Sequence, residues 1–135
     1  MEVIDLIHRH YATLDEHRFD DMGANFCEDV QAITPVGEVT GRDTVLALIS
    51  RTFVDYARLH HVVGNVLVDV VDGGDRVEVR FDVIATFGRE DALHPTRSSG
   101  SVCRFDARRE MDGWRISRMR ITPVWLVEPD GAQAA

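Results

Sequence analysis

The sequence has no lysine: all 15 of its basic residues are arginines, and 23 acidic residues outnumber them. The formal net charge of −8 argues against a nucleic-acid backbone as the partner of this chain. Long apolar runs are absent too, since none approaches the roughly 20 residues that a membrane span requires. Near the N-terminus, Glu2 and Asp5 stand where a signal peptide would carry basic residues. The sequence therefore predicts a cytoplasmic protein with neither a nucleic-acid nor a membrane partner.

Cysteine is also scarce, with two residues, Cys27 and Cys103, in the whole chain. Two cysteines so far apart form neither a disulfide framework nor a CxxC motif for zinc or redox chemistry. We expect two buried free thiols in a reducing compartment.

The six histidines do not follow a metal-binding pattern. His60 and His61 are adjacent and point to opposite faces of a predicted strand, and His8 and His10 diverge on a predicted helix. The sequence therefore predicts no metal site and no cofactor.

The remaining composition is that of an ordinary globular chain. Hydrophobic residues make up 44% and charged residues 28% of the 135 residues, which excludes a disordered or collagen-like protein. Residues 128–135 are mostly small and polar. We expect a single domain over residues 1–127 and a disordered tail over residues 128–135.

The periodicity of apolar residues divides this domain into a helical front and a stranded back. It predicts helices over 2–16, 19–26 and 43–57, the last capped by Asp43, and strands over 30–34, 60–71, 77–87, 98–108 and 114–127. This order predicts an α+β fold, with three N-terminal helices on the concave face of a curved, mostly antiparallel sheet. A hollow should remain at the open end of the sheet. The strand over 60–71 is apolar on both faces, so a partner subunit is expected to cover the second face.

Two polar residues interrupt the apolar pattern and form the candidate catalytic pair. Asp15 ends the first helix one turn after Tyr11, and His61 lies at the start of the first long strand. If the two meet, the carboxylate accepts the Nδ1 proton of the imidazole and makes Nε2 a stronger base. The structural alternatives are an exposed acid for Asp15 and a hydrogen-bonded core histidine for His61.

Other side chains are candidates for contacts with a substrate. Tyr11 is either a core residue or a hydrogen-bond donor to a substrate oxygen, and Arg120 could steady an enolate or a carboxylate. No base is arranged to turn the serines into nucleophiles. The residues expected to line the hollow, which suit an apolar ligand, are Phe53, Asn65, Val83, Phe87, Ser101, Arg120 and Trp125.

Short motifs spread over residues 3–127 resemble, in order and spacing, those of the SnoaL-like branch of the nuclear transport factor 2-like superfamily. They are YATLD at 11–15, FDDM at 19–22, FCEDV at 26–30, TGRD at 40–43, HVVGN at 61–65 and DGWRI at 112–116. The resemblance implies a cone-shaped α+β barrel with a deep pocket, and a homodimer formed through the sheet. It does not fix the function, because this scaffold carries enzymes, transport factors and binding modules.

Ketosteroid isomerases of this superfamily carry an aspartate base just before a Pro-x-Gly turn, and Thr34 occupies that position here. Their oxyanion-hole acid falls at about Ser101 and their tyrosine at about His10. All three positions depart from that pattern, which argues against the ketosteroid isomerase mechanism.

Scytalone dehydratase and hexachlorocyclohexane dehydrochlorinase pair an aspartate at the end of the first helix with a histidine on the first long strand. The matching positions are Asp15 and His61, so the resemblance assigns them the role of a general-base dyad. A second histidine of scytalone dehydratase corresponds to about Phe87, so that site is not complete here.

From these residues we predict a cofactor-independent lyase or isomerase, either a dehydratase or a cyclase of secondary metabolism. Its substrate is expected to be a small hydrophobic metabolite of the polyketide or terpenoid kind. Two alternatives stay open: a non-catalytic module that binds a small ligand in the same hollow, and an isomerase of the ketosteroid type.

Overall fold

The computed structural model of the protein describes residues 2–90 and 94–128. The helices are α1 (Val3–Asp15) and α2 (Arg42–Phe53), with two short 3₁₀ segments at Phe19–Asn25 and Asp72–Gly74. The strands are β1 (Phe26–Thr34), β2 (Gly37–Thr40), β3 (Arg58–Val71), β4 (Arg76–Gly88), β5 (Arg97–Glu110) and β6 (Gly113–Val127). The predicted tail lies outside the described residues, except for Glu128.

The six strands form one sheet in the order β2-β1-β6-β5-β4-β3. Four of the five pairings are antiparallel, and β1 pairs with β6 in parallel. The sheet is not closed, because β2 and β3 stay at its two edges. The predicted α+β fold, a mostly antiparallel sheet around N-terminal helices, is confirmed.

Some predicted boundaries are wrong, and the backbone explains why. The second segment is a 3₁₀ helix that ends at Asn25, and β1 begins four residues before the predicted strand because Phe26 already pairs with Ile116 of β6. Gly41, with φ +103°, precedes α2 and accepts its first backbone hydrogen bond from Val45, so Asp43 lies inside the first turn instead of capping it.

The core lies between α1 and the inner face of the sheet. Phe26, Phe81 and Phe105 are fully buried there, together with Leu6 and Ile7 of α1. The alternation predicted for β4 is confirmed, since every second side chain is buried: Val77, Val79, Phe81, Val83, Ala85 and Phe87. Both cysteines are free and buried, as expected. Among the described residues, no helix is long and apolar enough to cross a bilayer.

The outer face of the sheet carries a row of exposed apolar residues. Strand pairing places Val62 opposite Ile84, Ile84 opposite Gly100, and Gly100 opposite Trp125. The indole of Trp125 lies over Gly100, where an added Cβ would come within 2.5 Å of the ring. Val62, Ile84 and Trp125 each remain about half exposed. We call this row the outer apolar row.

Candidate active site

The end of α1 directs a carboxylate towards β3. The helix ends at Asp15 because the chain turns at His17, which has a left-handed backbone with φ +57°. A carboxylate in the last helical turn is disfavoured by the helix dipole, by about 0.3–1 kcal/mol, and this last turn has no basic residue. The contacts of Asp15 with β3 offset that cost.

Asp15 and His61 make two hydrogen bonds to each other. The backbone N–H of His61 donates to Oδ2 of Asp15 at 2.8 Å, and Nδ1 of the ring lies 2.6 Å from Oδ1. Since an ionised carboxylate can only accept, Nδ1 carries the proton and Nε2 carries the lone pair. The side chain of His61 is 4% exposed and that of Asp15 is 18% exposed. The structure therefore brings the two predicted residues together and fixes both the tautomer and the direction of the imidazole.

Aromatic rings surround the imidazole of His61. The ring centroid of Tyr11 lies 5.1 Å from it, that of Phe53 5.9 Å and that of Phe87 5.8 Å. Phe53 and Phe87 also stack on each other, so the end of α2 and the end of β4 contribute to one wall. These apolar neighbours keep water away from His61 and leave it in a medium where electrostatic interactions are strong.

A residue that sequence reasoning missed holds part of this wall in place. Nε2 of His17 lies 2.6 Å from the carbonyl oxygen of Tyr56 and donates a hydrogen bond to it. The ring of Tyr56 packs on Phe87. His17 therefore ties the turn after α1 to the segment after α2 that contains Tyr56.

Tyr11 lies beside the dyad through its ring, while its hydroxyl points deeper into the core. The hydroxyl oxygen is 3.9 Å from Sγ of Cys103. Burial raises the pKa of Tyr11 well above its ordinary value, and burial also raises the pKa of Cys103 to about 12. Both groups therefore stay protonated, and in this position the hydroxyl contacts a thiol.

Three predicted lining residues lie on the same inner face as the dyad. Strand pairing aligns Val63, Val83 and Ser101 across β3, β4 and β5. This row is next to the inward-facing row that contains His61. Val83, Phe87 and Ser101 are buried. These residues, with Phe53, form the part of the predicted lining that the structure places near His61.

Three other predicted lining residues lie outside. Asn65 has φ +51° in a bulge of β3, and its Nδ2 donates to Oδ2 of Asp82 at 2.6 Å on the exposed surface. Trp125 belongs to the outer apolar row, because β6 changes register near Gly100. A strand without bulges would direct both side chains to the inner face. The bulge in each strand adds one residue, so the side chains that follow it point to the opposite face.

Arg120 is also outside, for a simpler reason. It pairs with Arg104 across β5 and β6, between positions 119 and 121 whose side chains face the core, and it is exposed. It does not reach the dyad from that face.

The hollow predicted at the open end stays a prediction. A depression of about 150 Å³ lies at the end of β4, and its lining includes His60 and Thr86 of the outer face as well as Leu59, Phe87 and Gly88, but not His61. A larger cleft of about 550 Å³ lies at the other end of β5, where Arg108 pairs with Asp29 and Glu110. That cleft is remote from His61 along the strands, so it cannot contribute to the chemistry of the dyad.

His10 is the second residue that sequence reasoning set aside and the structure places near the dyad. It is buried, and its ring lies 4.6 Å from that of Tyr11. A signal was available, because His10 falls on the same helical stripe as the buried Leu6, Ile7 and Leu14. Among the described residues, no group of three or more potential ligands is arranged to hold a metal ion.

Comparison with known proteins agrees with the α+β fold described above. The family model of the SnoaL-like domain matches residues 1–120. The chain belongs to the SnoaL-like domain family, and the resemblance read from its motifs is confirmed. No curated protein matches the chain.

Solved structures share the fold at low sequence identity. A scytalone dehydratase-like protein from Novosphingobium aromaticivorans superposes with a TM-score of 0.83 at 19% identity, covering 93% of this chain and 84% of its own. The hexachlorocyclohexane dehydrochlorinase LinA-type3 from Novosphingobium barchaimii gives 0.80 at 16%, covering 96% and 88%. ActVI-ORFA from Streptomyces coelicolor gives 0.78 at 15%, covering 90% and 94%. At these identities the comparison establishes the fold alone.

Proposed function

We propose that the protein is a cofactor-independent lyase or isomerase, a dehydratase or a cyclase, in which His61 is the general base. The observation that carries the proposal is the two-point contact between Asp15 and His61 in surroundings that exclude most water. A neutral partner such as a backbone carbonyl would satisfy the Nδ1 proton of a structural histidine, whereas a carboxylate also stabilises the charged imidazolium that a general base forms. Two of the structural relatives are named as a dehydratase and a dehydrochlorinase, and these names support the same class of reaction.

The proposed reaction begins with a proton on a carbon next to a carbonyl or a leaving group. Nε2 of His61 takes this proton, and the electron pair of the C–H bond becomes an enolate or carbanion. The pair then either expels hydroxide, which takes the proton back from Nε2 and departs as water, or attacks a second carbonyl of the same molecule to close a ring, and the resulting alkoxide takes that proton. The carboxylate of Asp15 stabilises the imidazolium that forms. A base positioned in this way contributes about 10²–10⁴-fold in rate.

The walls of the site favour a small hydrophobic substrate. Phe53, Val83 and Phe87 supply apolar surface next to His61, and a polyketide- or terpenoid-like secondary metabolite fits such walls. Tyr11 can donate to a substrate oxygen if its hydroxyl turns away from Cys103. The ketosteroid isomerase alternative lacks a base at Thr34, whose hydroxyl donates to the carbonyl of Gly37 inside the β1–β2 turn.

The test needs no knowledge of the natural substrate. The bicyclic ketone 2-tetralone carries acidic C–H bonds next to its carbonyl, and in deuterium oxide a general base exchanges them. We expect the protein to accelerate this exchange, followed by proton NMR, well beyond an equal concentration of free imidazole. Binding of 2-tetralone without any acceleration would contradict the enzymatic proposal and favour the non-catalytic ligand-binding module.

We further propose that two copies of the chain associate through the outer apolar row. Exposed apolar side chains that continue across neighbouring strands mark an interaction surface, and Ile84, at the centre of the row, is 50% exposed. Burying this row against its own copy gives an isologous dimer.

Replacing Ile84 by glutamate should convert this dimer into a monomer, because a charge at the centre of an apolar interface has no partner. Size-exclusion chromatography with light scattering measures the change. Val36 is 67% exposed in the turn between β1 and β2, so Val36→Glu is the matched control and should stay dimeric. A monomeric wild-type protein, or a dimeric Ile84→Glu variant, would contradict the proposed interface.

We also propose that residues 1–127 act as one SnoaL-like domain in the cytoplasm. The family match over residues 1–120 supports the domain limits. The two unpaired, buried thiols, Cys27 and Cys103, fit a reducing compartment.

A further inference from the structure

The depression at the end of β4 has a basic lining in an acidic protein. Arg58, His60 and His94 contribute to it, and none of the described residues that line it is acidic. The formal net charge of the chain is −8, so this local excess of basic groups does not follow from the composition. A concave surface with charge of one sign raises the local concentration of ions of the opposite sign. The lining therefore favours an anion.

Strand pairing and one glycine create the space between these residues. Arg58 pairs with Gly88 and His60 pairs with Thr86, so Arg58 and His60 point to the same face of β3. A Cβ added to Gly88 would lie 3.4 Å from Cβ of Arg58 and 3.9 Å from the carbonyl oxygen of His94. The missing side chain of Gly88 therefore leaves room beside all three basic residues.

The segment that carries His94 is fixed to the end of β4. The backbone N–H of Thr96 donates to the carbonyl oxygen of Phe87 at 2.8 Å, and the hydroxyl of Thr96 donates to the same oxygen at 3.2 Å. His94 is two residues before Thr96 in the chain, so these bonds hold it at the edge of the depression.

The basic side chains offer hydrogen-bond donors that suit a carboxylate. Arg58 is exposed and forms no ion pair within the part of the chain that the structure describes. A guanidinium can bind a carboxylate through two parallel N–H groups. The imidazoles of His60 and His94 each keep at least one N–H donor in either protonation state.

The remaining lining is largely apolar. Leu59, Phe87 and Pro95 contribute to it, and the volume of the depression is about 150 Å³. A cavity of roughly that size accommodates benzene when its walls are apolar. The depression therefore suits a single aromatic ring that carries an anionic group.

We propose that this depression is a binding site for a small aromatic carboxylate. The ring of the ligand lies against Leu59 and Phe87, and its carboxylate binds Arg58 with further hydrogen bonds from the two histidines. His61 does not line the depression, so the site is separate from the dyad. The inference goes beyond the proposed lyase or isomerase activity and does not depend on it.

The test compares benzoate with benzamide, two probes of nearly the same shape that differ in charge. NMR titration at low ionic strength should show that the wild-type protein prefers benzoate by about tenfold, which one charge-assisted hydrogen bond supports. The preference should shrink as salt is added, because salt screens exposed charges. Acetate, which has the charge but not the ring, should bind more weakly than benzoate.

Two variants separate the charge from the space. Arg58→Gln should bring the dissociation constants of benzoate and benzamide together, whereas the control Arg51→Gln, at an exposed position of α2, should keep the preference. Gly88→Ala should weaken the binding of both probes alike, because the added methyl group occupies the space beside Arg58.

Nitrogen-15 NMR of the histidine rings in the wild-type protein locates the probe without any variant. Benzoate should shift the ring nitrogens of His60 and His94 and leave those of His61 in place. Equal affinity for benzoate and benzamide, an unchanged preference in Arg58→Gln, a shift at His61 alone, or no binding of benzoate would each overturn the proposal. Benzoate binding without any acceleration of 2-tetralone exchange would contradict only the general base, so the two proposals fail in different ways.

Discussion

Replacing His61 by alanine should lower the exchange of 2-tetralone by at least about a hundredfold, the low end of what a positioned general base contributes. The variant loses the proton acceptor Nε2 together with the ring that Asp15 orients. The backbone N–H of residue 61 can still donate to Asp15, so the contact between α1 and β3 persists in part. Circular dichroism and thermal unfolding should therefore report a folded protein.

The adjacent residue provides the control for this variant. His60 sits next to His61 but is exposed and alternates to the other face of β3. His60→Ala should leave exchange unchanged, and an equal loss in both variants would indicate a disturbed strand. Undiminished exchange in His61→Ala would remove the dyad from the mechanism.

Replacing Asp15 by asparagine should have an effect of similar size for a different reason. In the wild-type protein, the backbone N–H and the Nδ1–H of His61 each donate to one carboxylate oxygen of Asp15. The amide of asparagine has the same shape, but it replaces one of these two accepting oxygens by an NH₂ group, which can only donate. The imidazole relieves this conflict by moving its proton from Nδ1 to Nε2, which removes the lone pair that acts as the base. We expect exchange to fall by about a hundredfold or more.

The tautomer of His61 distinguishes this cause from a general loss of structure. Nitrogen-15 NMR should find Nδ1 protonated in the wild-type protein and Nε2 protonated in Asp15→Asn. Glu16→Gln, which changes the exposed neighbouring carboxylate, should alter neither the tautomer nor the rate. If Asp15→Asn keeps both, the carboxylate does not orient the base.

The sequence predicts the dyad because both residues interrupt strongly periodic segments. Asp15 follows an uninterrupted apolar stripe of α1. His61 lies near the start of a valine-rich strand, which begins at Arg58 in the structure, two residues before the predicted start. In such segments a polar residue in a buried register is conspicuous. The inner face of β4 is predictable for the same reason.

What the sequence does not reveal are the places where a strand loses its regular alternation. Asn65 and Trp125 follow bulges in β3 and β6, and a bulge depends on the neighbouring strand as much as on local residues. The early start of β1 escapes prediction as well, since the spacing of Phe19, Met22 and Phe26 also fits a helix. Only the pairing of Phe26 with Ile116 decides between the two.

The parallel pairing of β1 with β6 has a consequence for the biosynthesis of the protein. β6 follows the other five strands of the sheet in the chain, yet it is the neighbour of both β5 and β1. While β6 is still in the ribosome, β1 and β2 have only each other, and an isolated two-stranded hairpin is marginal in water. The β1–β2 hairpin therefore joins the sheet only once β6 has left the ribosome, whereas Asp15 of α1 meets His61 on β3, a strand that is made earlier.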